Sequence, residues 1–594
     1  MRSKDEIRSE FERWLAVTGG AASGGSTSMK GAASDEAEAR ILNAELRAMD
    51  ASAIEDAFYR DLAFGTGGLR GVIGAGTNRI NVFTVAKATQ GLADYINAGR
   101  KDDQTASADT DASGAASPSV AIAYDSRIKS DLFSETAAGV LAANGIKAYI
   151  YPQLMPTPCL SFAVRELGCQ AGIVITASHN PSKYNGYKVY GPDGCQITTE
   201  AAAAILACIE KVDIFDVVRS TDFAAARKAG TIEYIDESVY TAFTEKVKEQ
   251  SVLYGDGIDR DVAIVYTPLN GTGLGPVTRA LRESGFTNIT VVEEQRDPDG
   301  RFPTCPYPNP EIREAMELGL QYCERTGADL LLATDPDADR CGIAVRDGDG
   351  YRLMTGNEVG LLLLDYICSQ RTKHGRMPKH PVFVKTIVTM DLAEKIADHY
   401  GVETVNVLTG FKFIGEVIGR MEAQGRGDDY ICGFEESYGY LTGTYVRDKD
   451  AVNAAFMICE MFAFYKTRGI SLTDKLSEIY GSYGYCMNTL HSYQFEGASG
   501  MLRMQEIMDG FRSGLGDIAG QKVTAALDYS QGLDGLPKSD VIKYLLADGS
   551  SVVVRPSGTE PKLKTYISVT AENRARAEEA EAAITAELKE RILS

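Results

Sequence analysis

Short runs rich in Val, Ile, Ala and Tyr recur along this chain and alternate with amphipathic stretches, which limits the fold more than any other feature. SVAIAYDSR, KAYIYPQL and AGIVITAS come first, then DVAIVYTPLNG, TNITVVEE, ADLLLATDPD and CGIAVRD, then PVFVKTIVTM, ETVNVLTGF and DYICGFEES. Between them the pattern predicts helices, such as those over 134–143 and 276–284. Strands of this kind separated by helices read as βαβ units in parallel or mixed sheets, repeated about three times. With 594 residues the chain is too long for one core, since cores stop growing well below that length and chains divide into domains.

After 540 the character changes. The runs 541–546 and 551–554 flank the turn Asp548-Gly549, and a charged, alanine-rich helix is predicted from Glu572 onward, which reads as an α+β terminal domain. Two segments, 18–34 and 99–119, are small and polar and are expected to be mobile insertions.

A net charge of −21 argues against nucleic acid or an anionic membrane surface as partner, because both need a basic footprint. The 11 cysteines are scattered, with no CxxC pair, as expected for reduced thiols. The N-terminal MRSKDEIRSEFERWLAV lacks the apolar core of a signal peptide, and no apolar run reaches membrane-spanning length. A cytoplasmic protein is expected.

Polar, glycine-rich or charged sequence repeatedly follows an apolar run, which is where open α/β sheets place their ligands. ATDPDADR (333–340) follows one such run. In an extended loop its alternating Asp335, Asp337 and Asp339 project to one side, a hard oxygen site suited to Mg²⁺, and Arg340 adds a cation for a phosphate. A solvated acidic turn is the plain alternative; an EF-hand is excluded because its glycine and glutamate positions hold Arg340 and Arg346.

AGIVITASHNPSKYNGYKVYG (171–191) exposes Ser178 beside His179 where an apolar run ends, and Lys188 returns toward it on the next strand. A serine so placed is often only a cap or turn residue. The loop lacks the GxSxG elbow of an esterase, which argues against acyl transfer. RPSGTEPK (555–562) offers Arg555, Ser557, Thr559 and free amides around Gly558 as a phosphate nest, against a plain hairpin turn. FGTGGLRG (64–71) supplies Arg70 as an anion clamp, and GFEESYGY (433–440) puts Glu435, Glu436 and Ser437 at a strand end, where carboxylates accept hydrogen bonds from sugar hydroxyls. Gly271 and Gly273, in DVAIVYTPLNGTGLGP, resemble part of a dinucleotide fingerprint, but Pro276 occupies the third glycine position.

The serine, triple-aspartate, glutamate-serine and terminal arginine loops together, in this order, resemble the α-D-phosphohexomutase superfamily over about 54–584, the 99–119 insertion excepted. FGTGGLRG with GAGTNRIN, TGFKFIG (409–415), and GFEESYGY with RDKDAV resemble its phosphoglucomutase branch, which includes bacterial α-phosphoglucomutases and phosphopentomutase relatives. The resemblance implies three related α/β mixed-sheet domains and a C-terminal α+β domain around a central cleft. Placed on this chain, these would be domain I at 51–228, II at 229–347, III at 348–478 and IV at 479–594, preceded by a helical extension, 1–50.

It further implies that Ser178 carries phosphate and that Asp335, Asp337 and Asp339 hold Mg²⁺ with a phosphoserine oxygen. Arg70, Lys188 and Arg340 would neutralise the moving phosphoryl group, with Lys188, its pKa lowered, or His179 as proton partner. Thr409, Gly410, Glu435 and Ser437 would bind substrate, and Arg555, Ser557, Gly558 and Thr559 the phosphate that is not reacting. Some members carry a histidine in the sugar loop; Gly439 and Tyr440 stand there here, so its role would be unfilled or pass to Lys449.

The implied reaction interconverts α-D-glucose 1-phosphate and glucose 6-phosphate through glucose 1,6-bisphosphate. Alternatives are the same chemistry on a pentose or mannose phosphate, or a non-catalytic sugar-phosphate sensor. A monomer and a dimer are equally compatible with the sequence.

Overall fold

The apolar runs become strands, and several are buried on both faces. Every residue of Ala171–Ile175, Leu330–Thr334 and Val382–Thr386 is buried, as unbroken β-branched runs require once helices cover the two faces of a sheet. In the computed structural model, residues 2–20, 33–65, 67–106, 117–495, 497–533, 535–557 and 562–593 are described. The chain divides into two compact units: 1–250, 261–344 and 444–456 form the first, and 251–260, 345–443 and 457–594 the second.

The first unit carries β1 (Phe64–Gly65), β2 (Gly68–Val72), β3 (Ser119–Tyr124), β4 (Lys147–Ile150), β5 (Ala171–Ile175), β6 (Tyr184–Tyr190) and β7 (Ile232–Tyr234) in one sheet of order β1-β2-β6-β5-β3-β4-β7. β3, β4, β5 and β7 are parallel, whereas β6 runs antiparallel to both β5 and β2. β7 extends this sheet past residue 228, where the sequence suggested a boundary. A second sheet contains β8 (Ile264–Thr267), β9 (Ile289–Val291), β10 (Leu330–Thr334) and β11 (Cys341–Asp347), in order β11-β10-β8-β9.

The N-terminal helices are part of the first core. Trp14, on helix Lys4–Thr18, is fully buried, with ring centroids 5.9 Å from Phe58, 5.4 Å from Phe83 and 5.2 Å from Phe215, all edge-on. Glu38, on helix Ala33–Ala48, pairs with Lys129 at the end of the loop after β3. The expected insertion 99–119 is ordered at both ends: helix Val82–Ala106 carries into it and β3 begins at Ser119. The rest of that insertion, 107–116, and 21–32 of the other lie outside the described residues.

The second unit opens with β12 (Gly350–Met354), then builds β13 (Val382–Thr386), β14 (Glu403–Val407), β15 (Tyr430–Glu435) and β16 (Gly439–Leu441) in order β14-β13-β15-β16. Its last sheet is β17 (Tyr485–Gln494), β18 (Asp517–Ile518), β19 (Gln521–Asp528), β20 (Ile542–Leu546), β21 (Ser551–Pro556) and β22 (Lys562–Ala571), in order β17-β22-β21-β20-β19-β18. The neighbouring strands of this sheet are antiparallel, and helix Arg574–Leu593 buries Ala577, Ile584, Leu588 and Ile592. An antiparallel sheet with helices on it is the α+β arrangement expected for the terminal stretch. Among the described residues no helix is long and apolar enough to cross a membrane.

Candidate active site

Ser178 sits in the loop that joins β5 to β6. Its backbone is left-handed, with φ +50°, a conformation that costs a residue with a Cβ about 1 kcal/mol or more. The hydroxyl is buried and donates to Asp335 Oδ2 at 2.7 Å, and His179 Nδ1 lies 3.1 Å from Ser178 Oγ. The loop lies close over β6 because Gly186 has no side chain: a Cβ there would stand 2.3 Å from the Thr176 carbonyl oxygen. Antiparallel register puts Arg70 of β2 opposite Gly186, and its Nη1 donates to Asn180 Oδ1 at 3.3 Å. The same register sets Lys188 between Gly68 of β2 and Val174 of β5.

The aspartate loop leaves β10 as a turn, with Ala338 left-handed at φ +47°, and is not the extended strand that the alternating pattern suggested. The three carboxylates converge all the same: Asp335, Asp337 and Asp339 are buried, and one ligand oxygen from each lies within 4.8 Å of the others. Asp335 Oδ1 accepts the backbone N–H groups of Asp339 (3.1 Å) and Arg340 (3.0 Å), which tightens the turn. Thr157, at the first turn of helix Thr157–Glu166, donates its hydroxyl to Asp337 Oδ2 at 3.0 Å and its N–H to the Asp337 carbonyl at 2.9 Å. Among the described residues Asp337 Oδ1 and Asp339 Oδ1 are buried with no hydrogen-bond partner, a state that is costly unless a cation completes it. Buried carboxylate oxygens with free lone pairs fit a hard divalent ion.

Gly271 and Gly273 are explained here by packing. A Cβ on Gly271 would stand 2.4 Å from Pro336 Cα, and one on Gly273 would stand 2.5 Å from the Thr334 hydroxyl. Thr272 donates both its N–H (2.8 Å) and its hydroxyl (3.0 Å) to the Pro336 carbonyl. The turn after β8 is thus a seat for the aspartate loop.

Cations balance the triad. Lys188 Nζ lies 2.9 Å from Asp337 Oδ2 and 3.5 Å from Asp339 Oδ2, while Lys449 Nζ is 2.6 Å from Asp339 Oδ2. Burial pushes the Asp335 carboxyl well up, aided by Asp337 and Asp339; for Asp337 burial acts the same way but Lys188 and Lys449 outweigh it and hold it low. Burial would lower Lys188, yet Asp337 and Asp339 overcome that and raise it, which corrects the expectation of a lowered lysine. His179 is pushed well below the usual imidazole range by burial, then by Arg340 and Arg70. Arg340 is paired with Glu311. Lys449, in the 444–456 segment of the first unit, reaches Asp339 of the aspartate loop, whereas Glu435 and Ser437 belong to the second unit.

In the second unit, Glu435 ends β15 and its Oε1 accepts the N–H of Gly410, whose φ is +122°, at the start of helix Phe411–Ala423 (3.0 Å). The Thr409 hydroxyl beside it is buried and has no hydrogen-bond partner among the described residues. Ser437 lies in the tight turn before β16, where Tyr438 is left-handed at φ +66°. Arg555, near the end of β21, lies 5.8 Å over the Tyr566 ring, and Ser557 N–H donates to the Lys562 carbonyl at 2.7 Å, closing the hairpin. Burial lifts the Tyr566 hydroxyl to about 12, with Glu436 raising it and Arg555 lowering it, so Tyr566 feels both loops of this unit. Gly558 and Thr559 lie outside the described residues.

Models of the phosphoglucomutase/phosphomannomutase domains match four segments of the chain: alpha/beta/alpha domain I at 61–214, domain II at 241–348, domain III at 355–483 and the C-terminal domain at 515–587. A phosphoglucomutase of Staphylococcus saprophyticus is 38% identical over 527 residues, 86% of this chain and 91% of its own. One from Staphylococcus haemolyticus is 35% identical over 87% and 92%. The chain belongs to the phosphoglucomutase/phosphomannomutase family. It is accordingly an enzyme of the isomerase class, an intramolecular phosphotransferase.

Solved members of this family share the fold. The Paramecium phosphoprotein parafusin, a phosphoglucomutase in its open form, superposes with a TM-score of 0.67 at 18% identity, over 90% of this chain and 94% of its own. A phosphoglucomutase/phosphomannomutase family protein from Burkholderia thailandensis gives 0.63 at 18%, over 89% and 97%.

Sequence reasoning about this family member passed over residues that hold the site without carrying its chemistry. Thr157, Thr176, Asp125 and Arg127 all reach the serine or aspartate loop. Asp448 accepts the buried Tyr190 hydroxyl at 2.7 Å, next to Lys449. For Asp125 and Arg127 a signal existed: DSR ends the strand run SVAIAYDSR, the position at which the other loops place their functional groups.

Proposed function

We propose that this enzyme interconverts α-D-glucose 1-phosphate and glucose 6-phosphate, with Ser178 as phosphate carrier and glucose 1,6-bisphosphate as intermediate and activator. The observation that carries the reading is the 2.7 Å contact of the Ser178 hydroxyl with Asp335, inside a buried triad flanked by Lys188 and Lys449. A serine so placed serves phosphoryl transfer, in which positioning and charge neutralisation supply most of the catalysis.

Asp335, Asp337 and Asp339, with an oxygen of phosphorylated Ser178, would hold Mg²⁺. The bound ion supplies neutralisation of the charge on the transferring phosphoryl group. Arg70, on β2 beside the serine loop, and Arg340, on the aspartate loop, add cations. As phosphate leaves Ser178 for a sugar hydroxyl, the P–Oγ bond breaks, a P–O bond to the sugar forms, and the hydroxyl proton passes to Ser178 Oγ. Lys188, held cationic by Asp337 and Asp339, is assigned as the group that protonates Oγ and recovers the sugar proton. Neutral His179 orients the serine.

Thr409, Gly410, Glu435 and Ser437 are assigned to the sugar hydroxyls, and Arg555, Ser557, Gly558 and Thr559 to the phosphate that is not reacting. Lys449 bridges the triad and the substrate. After the first transfer the bisphosphate turns end for end and returns its other phosphate to Ser178. Sugar phosphates are the proposed partners, and the cytoplasm, where they are made, the proposed location.

Mutase turnover with wild type and Ser178→Ala, each supplied with glucose 1,6-bisphosphate, is the test, with glucose, mannose and pentose 1-phosphates compared by kcat/KM. Loss of turnover in Ser178→Ala and the highest ratio for glucose are expected; normal turnover in the variant would overturn the reading, and a higher ratio for another sugar would reassign the substrate.

A further inference from the structure

Arg127 is completely buried within the first unit, and the chemistry proposed above gives it no task. Its guanidinium is spent on backbone: Nη1 donates to the carbonyls of Pro181 and Tyr184, both at 3.0 Å, and Nη2 to those of Ser178 and Asn180. Four carbonyl dipoles of the serine loop therefore converge on one cation. Without it they would repel one another in a dry interior.

Asp125 stands behind the guanidinium, with Oδ2 3.3 Å from Arg127 Nε, and its Oδ1 accepts the Arg127 N–H (2.9 Å) and the Ser130 hydroxyl (2.8 Å). Asp125 Oδ2 also accepts the Thr176 hydroxyl at 2.6 Å, and Thr176 Oγ1 in turn accepts the N–H of Ser178 at 2.8 Å. Ser178 is thus gripped at both ends of its own backbone, the carbonyl by Arg127 and the N–H through Thr176 by Asp125. That grip falls on a residue whose φ of +50° its own preferences disfavour.

The clamp is sealed from water. Arg127 lies 5.1 Å over the Phe302 ring, and Gly300 lets that loop close in, since a Cβ there would stand 2.4 Å from Ile128 N.

We propose that Arg127, backed by Asp125, is a positioning residue for phosphoryl transfer: it holds the Ser178 backbone left-handed so that Oγ faces Asp335. The inference rests on the reading of Ser178 as phosphate carrier. It requires arginine in particular, because a planar guanidinium reaches several acceptors in fixed directions, whereas a lysine ammonium presents its donors from one point.

Arg127→Lys, Thr176→Val and Ser178→Ala are compared with wild type in the full chain, with Mg²⁺ and glucose 1,6-bisphosphate present. Thr176→Val leaves Arg127 in place and cuts the link from Asp125 to the Ser178 N–H. In Arg127→Lys, KM for glucose 1-phosphate is expected to stay near the wild-type value while kcat falls about 10²-fold, the cost of a serine misplaced by about 1 Å. Phosphate uptake by the protein from the bisphosphate, followed by intact mass in a single turnover, slows by the same factor. Thr176→Val shows the same split of kcat from KM to a smaller degree.

A positioning role is overturned if neither variant lowers kcat at constant KM, or if the loss merely follows the folded fraction in a melting curve. Full activity and normal phosphate uptake in Ser178→Ala would overturn the phosphate-carrier reading itself. An inactive Ser178→Ala beside a normal Arg127→Lys and a normal Thr176→Val overturns the positioning role alone.

Discussion

Lys449 places its ammonium 2.6 Å from Asp339 Oδ2, so the aspartate triad is offset by a lysine from a segment far along the chain as well as by Lys188 on β6. Two cations beside three carboxylates leave the cluster with less negative charge to offer a divalent ion. Removing one therefore strengthens the metal site and weakens the anion site. Lys449→Met is expected to bind Mg²⁺ roughly tenfold more tightly, as one charge at this range implies in a partly screened site, while kcat for sugar phosphate falls. Calorimetric Mg²⁺ titration and steady-state kinetics check the two arms.

Addition of Mg²⁺ is expected to raise the melting temperature of the wild-type protein, because an ion that binds the folded triad and not the unfolded chain stabilises by mass action. Asp337→Asn removes one carboxylate of the proposed metal site, whose Oδ1 has no hydrogen-bond partner among the described residues. That variant is expected to lose most of the Mg²⁺-dependent shift, read by differential scanning calorimetry with and without chelator.

Gly271→Ala tests the seat under the aspartate loop. The new methyl would stand 2.4 Å from Pro336 Cα, backbone that cannot turn aside as a side chain can. A loss of about 1–3 kcal/mol in stability is expected from overpacking, together with weaker Mg²⁺ binding, since the displaced loop carries Asp335 and Asp337.

Asp450 gives a pH signature. It is fully buried, accepts the Tyr445 hydroxyl at 2.7 Å and the N–H groups of Val452 (2.8 Å) and Asn453 (3.0 Å), and burial raises its carboxyl to about 6. The folded state then holds this proton more tightly than the unfolded chain does. Its stabilising contribution is complete below the ordinary carboxylate range and is lost as pH rises through about 6. Denaturant titrations of wild type and Asp450→Asn between pH 4 and 7 should differ in slope, the wild type losing up to about 3 kcal/mol more over that range.

Trp14→Ala is expected to cost about 3–5 kcal/mol, the range for removing a buried aromatic side chain. Phe58, Phe83 and Phe215 all lose their shared partner. The loss is to be read by denaturant titration, with the helices before residue 61 showing faster hydrogen exchange.

The strand runs and the starts of the serine and aspartate loops were legible because each is contiguous in sequence. AGIVI ends where Thr176 begins, and LLLAT ends where Asp335 begins, so local composition marked both the strand and the loop at its end. Arg127 was passed over because a lone arginine after a strand looks like any solvated cation; its four carbonyl partners belong to a loop that β5 brings alongside β3. The glycines at 271 and 273 suggested a dinucleotide turn for the same reason: local spacing does not reveal that Pro336 lies against them.

By itself the sequence determined the alternating α/β architecture and the strand ends at which the serine and aspartate loops sit, because apolar periodicity and turn chemistry act over a few residues. Only the tertiary structure decided the electrostatics. It set Lys449 on Asp339, raised Lys188 where a lowered value was expected, and left Asp337 Oδ1 with no hydrogen-bond partner among the described residues. Charge acts through distance and burial, and both are properties of segments brought together by the fold.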